Sequence, residues 1–187
     1  PVTNRWMDIF GRANAAAFDR NRWDYYNRDI FDLFYPGYLD SYPSLNGAIG
    51  MTYETDGGGF KGLRWTRDDG SIVTLRSAIA KHYVASMTTL ETLSKNKTQR
   101  LQDFYDFRRN AMAQNDRMKR VVILPEANRV KTVEMLEILH RARDEIRVAN
   151  AAFTSGSTHS YDQKNAPSRN QTFPAGSFII DLNQPQK

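Results

Sequence analysis

Apolar positions in the first twenty residues recur three and four apart. Trp6, Ile9, Phe10, Ala13, Ala17 and Phe18 follow this spacing, which predicts a helix over residues 5–20. A second apolar series begins near Thr74 or Leu75. Ile79, Tyr83, Met87 and Leu90, followed by Leu93, predict a long helix with these side chains turned inward. After a break at Ser94 to Lys97, Leu101, Phe104, Tyr105, Arg108 and Met112 share one face of a helix from about Thr98 to Gln114. These two helices are expected to pack side by side.

Between the first helix and the long one the period changes. Residues 22–42 are dense in Trp, Tyr, Phe and Asp, and Asp29 to Phe34 read as a short helix or an irregular run ended by Tyr35-Pro36-Gly37. Residues 47–54 alternate. Ile49, Met51 and Tyr53 point one way, and Ala48, Gly50, Thr52 and Glu54 the other, which predicts a strand with one greasy face and one small-residue face ending in a carboxylate. A glycine run, Gly57 to Gly59, follows it. Phe60 to Thr66 read as extended, Arg67-Asp68-Asp69-Gly70 as a turn, and Ser71 to Thr74 as a short β-branched run.

The pattern shifts again past Asn115 to Lys119. Arg120 to Leu124 form a buried-type strand ended by Pro125. Asn128 or a neighbour caps a helix reaching about Arg143, with Val130, Val133, Leu136 and Leu139 inward. Ile146-Arg147-Val148 is the next strand, giving a strand–helix–strand unit read as a parallel crossover. Residues 154–172 are polar and read as a loop, and Ser177 to Leu182 as a last strand. The boundary divides the chain into 1–116 and 119–187.

Composition narrows the classes. With 187 residues, 40% hydrophobic and 12% aromatic, the chain can build a real core. No apolar run approaches the roughly 18 residues of a membrane span. The chain begins at Pro1 without Met, which reads as a processed or partial protein. Absence of Cys removes disulfides, thiolate nucleophiles and thiolate metal sites. The net charge of +5 is spread among interleaved acids, so solvated helix faces account for it better than a nucleic-acid groove.

Motif by motif, most chemistry falls away. His82, His140 and His159 stand in no metal-binding spacing, so no metal ligand is assigned. There is no Gly-x-Ser-x-Gly nucleophile turn, and Gly57-Gly58-Gly59 lacks the Gly-Lys-Ser/Thr ending of a phosphate loop. Glu54 remains, a carboxyl at the mouth of a face lined with small residues, where acid/base work is feasible.

Around Glu54 the wording resembles the zinc metallocarboxypeptidases, the carboxypeptidase A-like peptidases. In that family the catalytic Glu ends a strand fourteen residues after the Asp of a Gly-x-x-Asp loop. Gly37-Tyr38-Leu39-Asp40 and Glu54 keep this separation, and Asp56 with Gly59-Phe60 is similar to the family's continuation. The stretch from Pro36 to Glu54 looks like a bacterial branch, which often carries an extra C-terminal α/β region. The resemblance covers about residues 30–95 and is weak beyond 115. It implies an α/β fold: the C-terminal part of a carboxypeptidase-like mixed sheet with packed helices, the long helix lying on the sheet, followed by the small strand–helix–strand unit.

What the resemblance implies chemically is a general base and acid, Glu54, acting on a zinc-bound water. Leu39 would lie at the floor of the pocket for the substrate's terminal side chain beside Asp40, and Tyr35 is the nearest candidate for the family's mobile Tyr, whose expected position holds Asp32. The family's His-x-x-Glu, third His and carboxylate-binding Arg residues all precede the catalytic Glu, and nothing here matches them; His159-Ser160-Tyr161 follows Glu54 and is out of order. Zinc is therefore expected in a longer parent protein and not in this chain, which alone would be inactive. Its expected partners are the missing N-terminal part of the catalytic domain and, in the parent, a peptide substrate. Self-association of the chain alone is also expected, through exposed strand edges and apolar surface. A secreted or periplasmic home is implied by the resemblance only. Two alternatives stand beside this: a carboxypeptidase-like module that binds without catalysis, and a basic nucleic-acid binder.

Overall fold

The first helix, α1, runs from Val2 to Asn21 and buries Trp6, Phe10 and Ala17, the inward series read from the sequence. It ends where Arg22 takes a left-handed backbone (φ 55°), letting the Arg22 and Trp23 amides bond back to the Asp19 and Phe18 carbonyls. The computed structural model describes residues 2–26, 34–55, 62–113, 118–125, 129–162 and 167–186. The run Asp29 to Leu33, the glycines 57–59 with Phe60, and the Asn128 cap lie outside the described residues.

Contacts divide the chain into two compact units, Pro1–Asp106 and Phe107–Lys187. The first holds α1, a short helix α2 (Ser41–Leu45), a hairpin of β1 (Arg64–Thr66) and β2 (Ile72–Thr74), α3 (Leu75–Lys95) and the start of α4 (Lys97–Met112). The hairpin pairs Arg64 with Thr74 and Thr66 with Ile72, turning at Asp69-Gly70 as the sequence predicts. Gly70 sits at φ 82°, a conformation open to it because it lacks a Cβ. Thr74 then caps α3 in a reciprocal box: its hydroxyl accepts from the Ser77 amide, and the Ser77 hydroxyl accepts from the Thr74 amide.

Two expectations fail in this unit. Residues 47–54 form no strand. Residues 46–48 turn and bend, and 49–55 carry no regular structure; over 51–55 Met51, Tyr53 and Thr55 are half-buried and Thr52 and Glu54 exposed, but no ladder partner pairs with the segment among the described residues. The alternation is real because one side packs on protein and the other faces water. The face of α3 is also reversed. Its buried positions are Ala78, Ala85 and Thr92, while Ile79 (59% exposed), Tyr83 (66%), Met87 and Leu90 (59%) face solvent. The main partner of α3 is α1 and not α4. Small side chains allow two helices close approach, and that decides which face turns inward.

A buried cluster holds α1 to the start of α4. Trp6 is wholly buried, and its indole N–H donates to Asp103 Oδ2 at 2.6 Å; Arg5 also pairs with that carboxylate. The Arg100 guanidinium lies 5.6 Å from the Trp6 ring centroid and donates to the Gly47 carbonyl at 2.5 Å. Burial pushes the Asp103 carboxyl up, but the bonds from Trp6, Arg5 and Gln99 outweigh it and hold its pKa below the ordinary range.

The second unit is a three-stranded antiparallel sheet in the order β3 (Arg120–Ile123), β7 (Phe178–Asp181), β4 (Ile146–Val148), with α5 (Arg129–Arg141) between β3 and β4 in the chain. β3 and β4 are parallel to each other, as the crossover reading requires, but β7 lies between them and pairs antiparallel with both. Asp181, on the central strand, meets Arg120 at 3.1 Å from one side and Arg147 from the other. On α5, Leu136 is buried and Leu139 half-buried, whereas Val130 and Val133 are exposed. The polar stretch read as a loop contains a hairpin, β5 (Phe153–Thr158) with β6 (Arg169–Phe173). The Thr154 and Thr172 hydroxyls bond across it at 2.9 Å, and Phe153 stacks on Phe173 with ring centroids 5.2 Å apart. The class is thus mixed α/β, with helices and small antiparallel sheets.

Candidate functional site

The loop of residues 34–40 turns into α2 by a local bond from the Tyr38 amide to the Tyr35 carbonyl, and the Tyr35 and Tyr38 rings meet edge to face at 5.5 Å. A side chain at position 37 would collide with the Tyr35 ring, so Gly37 is what lets that ring fold over the turn. Both tyrosines and Leu39 (79% exposed) stand on the surface. Asp40 does the reverse. It is 5% exposed and sits at the N-terminal end of α2.

Asp40 is the hinge between this loop and the segment carrying Glu54. Its Oδ2 accepts from the Thr52 hydroxyl at 2.7 Å. Its carbonyl accepts from the Ser44 hydroxyl at 2.7 Å, and the same Ser44 oxygen accepts from the Gly50 amide at 3.0 Å. The chain passes so close here that a Cβ at Gly50 would overlap the Asp40 carbonyl. The hydrogen bond from Thr52, above all, holds the Asp40 carboxyl below the ordinary carboxylate range, so it is an ionised acceptor at neutral pH.

On the opposite side of the segment, Tyr53 reaches between the helices. Its hydroxyl receives a bond from Asn14 Nδ2 of α1 at 3.1 Å and lies 2.8 Å from Thr89 Oγ1 of α3. Glu54 comes next and is exposed. Of the residues singled out from sequence, Asp40 and the Glu54 segment are brought together through Thr52, whereas Tyr35 and Leu39 lie on the rim of the same loop. Thr52, Ser44 and Gly50 were not singled out. The available signal was the two-residue step that puts the Thr52 hydroxyl on the Glu54 side of the strip.

The donor set for a metal was tested on the same residues. Among the described residues no three His, Asp or Glu side chains converge, and His82, the histidine of the first unit, is exposed on α3. The residues present do not fit a zinc site. No helix among them is long and apolar enough to cross a membrane. Comparison of the chain with family models, curated proteins and solved structures finds no match.

Proposed function

We propose that this chain is the C-terminal portion of a zinc-dependent metallocarboxypeptidase that hydrolyses peptide or amide bonds near a C-terminus, with Glu54 as its general base and acid. The observation that carries the reading is the Thr52–Asp40 hydrogen bond. It joins the Gly-x-x-Asp loop to the segment that ends in Glu54, so the two halves of the motif are neighbours in space. An exposed carboxylate on a tethered strip can take a proton from a water at the scissile carbonyl and return it to the leaving amine. Metal ligands would come from the preceding part of the parent, because the residues described here do not supply them. Tyr35 and Leu39 would border the substrate's terminal residue, with Asp40 buried behind them. The outer face of α3 would be covered by the missing part of the domain.

The test is zinc content and peptidase activity of the longer protein beside Glu54→Gln. About one zinc per chain, kept in the variant while turnover is lost, is the expected result. Equal turnover without Glu54 overturns the reading and leaves a binding module as the role of the fold.

A further inference from the structure

Segment 51–55 alternates half-buried and exposed residues but has no ladder among the described residues, so no strand pairing there fixes the carboxylate it carries. Side chains do so instead, from two sides. Tyr53 is held by Asn14 and Thr89 against α1 and α3. Thr52 is held by Asp40, which is itself buried and tied through its carbonyl to Ser44, the acceptor for the Gly50 amide. Thr52 and Glu54 are both exposed while Met51, Tyr53 and Thr55 are half-buried, which puts Thr52 and Glu54 on the same side, one step apart. The Thr52 bond therefore sets the height and tilt of the strip just where Glu54 leaves it.

Resting on the catalytic reading of Glu54, we infer that Thr52, latched by Asp40 and Ser44, is a positioning residue that holds Glu54 in its working orientation. Asp40 then serves the strip and not the substrate: its buried carboxylate accepts from Thr52, and its carbonyl from Ser44. A general base must stay within hydrogen-bond reach of the proton it removes, and a drift of about 1 Å can cost on the order of 100-fold in rate. Threonine suits the task because its hydroxyl donates while its branched Cβ favours the extended backbone.

The experiment has two readouts. Backbone order parameters of residues 51–54 are measured in this chain for the wild type, Thr52→Val, Thr52→Ser and Asp40→Asn. The kcat and KM of the longer protein are measured for the same set beside Glu54→Gln. Thr52→Val keeps the shape and removes the donor; the expected result is a drop of order from about 0.85 toward 0.6 and a fall in kcat of at least about tenfold at unchanged KM. Thr52→Ser is expected to restore both. Undiminished order in both Thr52→Val and Asp40→Asn overturns the latch, whatever the activity. Lost order with kcat unchanged overturns the positioning role while Glu54 stays essential. Full activity in Glu54→Gln overturns the catalytic reading itself, and with it the positioning role, a result distinct from either.

Discussion

The two faces of α3 differ in a way that inverts the usual rule. The buried face carries Ala78, Ala85 and Thr92, seven residues apart, while roughly 155° round the helix Ile79, Tyr83, Met87 and Leu90 form a stripe open to water. The helix extends about 30 Å at 1.5 Å per residue. A stripe of large apolar side chains along it is more than the scattered exposure normal on a monomer. Small residues suit the close neighbour, and the large ones would suit the further neighbour that the proposed function implies. Together they explain why a helix of this amphipathicity leaves its greasier side uncovered.

The largest effect is expected in the longer protein that the proposed function implies. Replacing Ile79 and Leu90 together by serine in the longer protein should cost about 2–5 kcal/mol at each site, the range for truncating buried aliphatic side chains. Urea unfolding of the longer protein measures it. A loss under about 1 kcal/mol would mean that nothing covers the stripe in the parent, and the comparison of the two faces would lose its meaning.

Next in size is the inner face. Ala85 is 5% exposed on the side of α3 that meets α1. Ala85→Leu adds three carbons at a buried position of the helix, and overpacking of this kind costs about 1–3 kcal/mol. Thermal unfolding of this chain should show the loss, together with a weakened Tyr53–Thr89 bond, because Thr89 lies one turn along the same helix. Unchanged stability would show the α1–α3 contact to be loose.

What could be read from the sequence follows the same division. Helix positions were legible: α1, α3, α4 and α5 lie close to where periodicity puts them, because amphipathic spacing survives whichever face is buried. The direction of burial in α3 was not, since size and not hydropathy chose the partner. Of residues 47–54, only Met51 to Glu54 kept the alternation, and none formed a strand, because alternation reports a one-sided environment and not a hydrogen-bonded neighbour. β5 and β6 escaped because Ser, Thr and Gly carry no hydrophobic period, and their pairing rests on the Thr154–Thr172 bond and the Phe153–Phe173 stack. At the candidate site, Asp40 and Glu54 were singled out through the family resemblance, and the Thr52–Asp40 bond brings Asp40 beside the segment that carries Glu54. Thr52 was hidden because a threonine in an alternating run reads simply as a strand former.

The smallest effect is the sharpest. In this chain by itself the same pair, Ile79→Ser with Leu90→Ser, should change stability by no more than about 0.5 kcal/mol, as for surface substitutions away from any partner. Both residues are 59% exposed, so serine removes little packing and leaves no enclosed cavity. The apolar stripe should nevertheless drive the isolated chain to self-associate, and the pair should abolish that association, seen as a loss of concentration dependence in sedimentation velocity. A large stability loss in the isolated chain would mean that the outer face is packed within it. Unchanged stability with persistent association would move the sticky surface elsewhere, the exposed Leu101 and Tyr105 of α4 being next. The same two substitutions, nearly silent here and severe in the longer protein, would identify the outer face as a contact made only in the longer protein and the inner face as the contact this chain makes unaided.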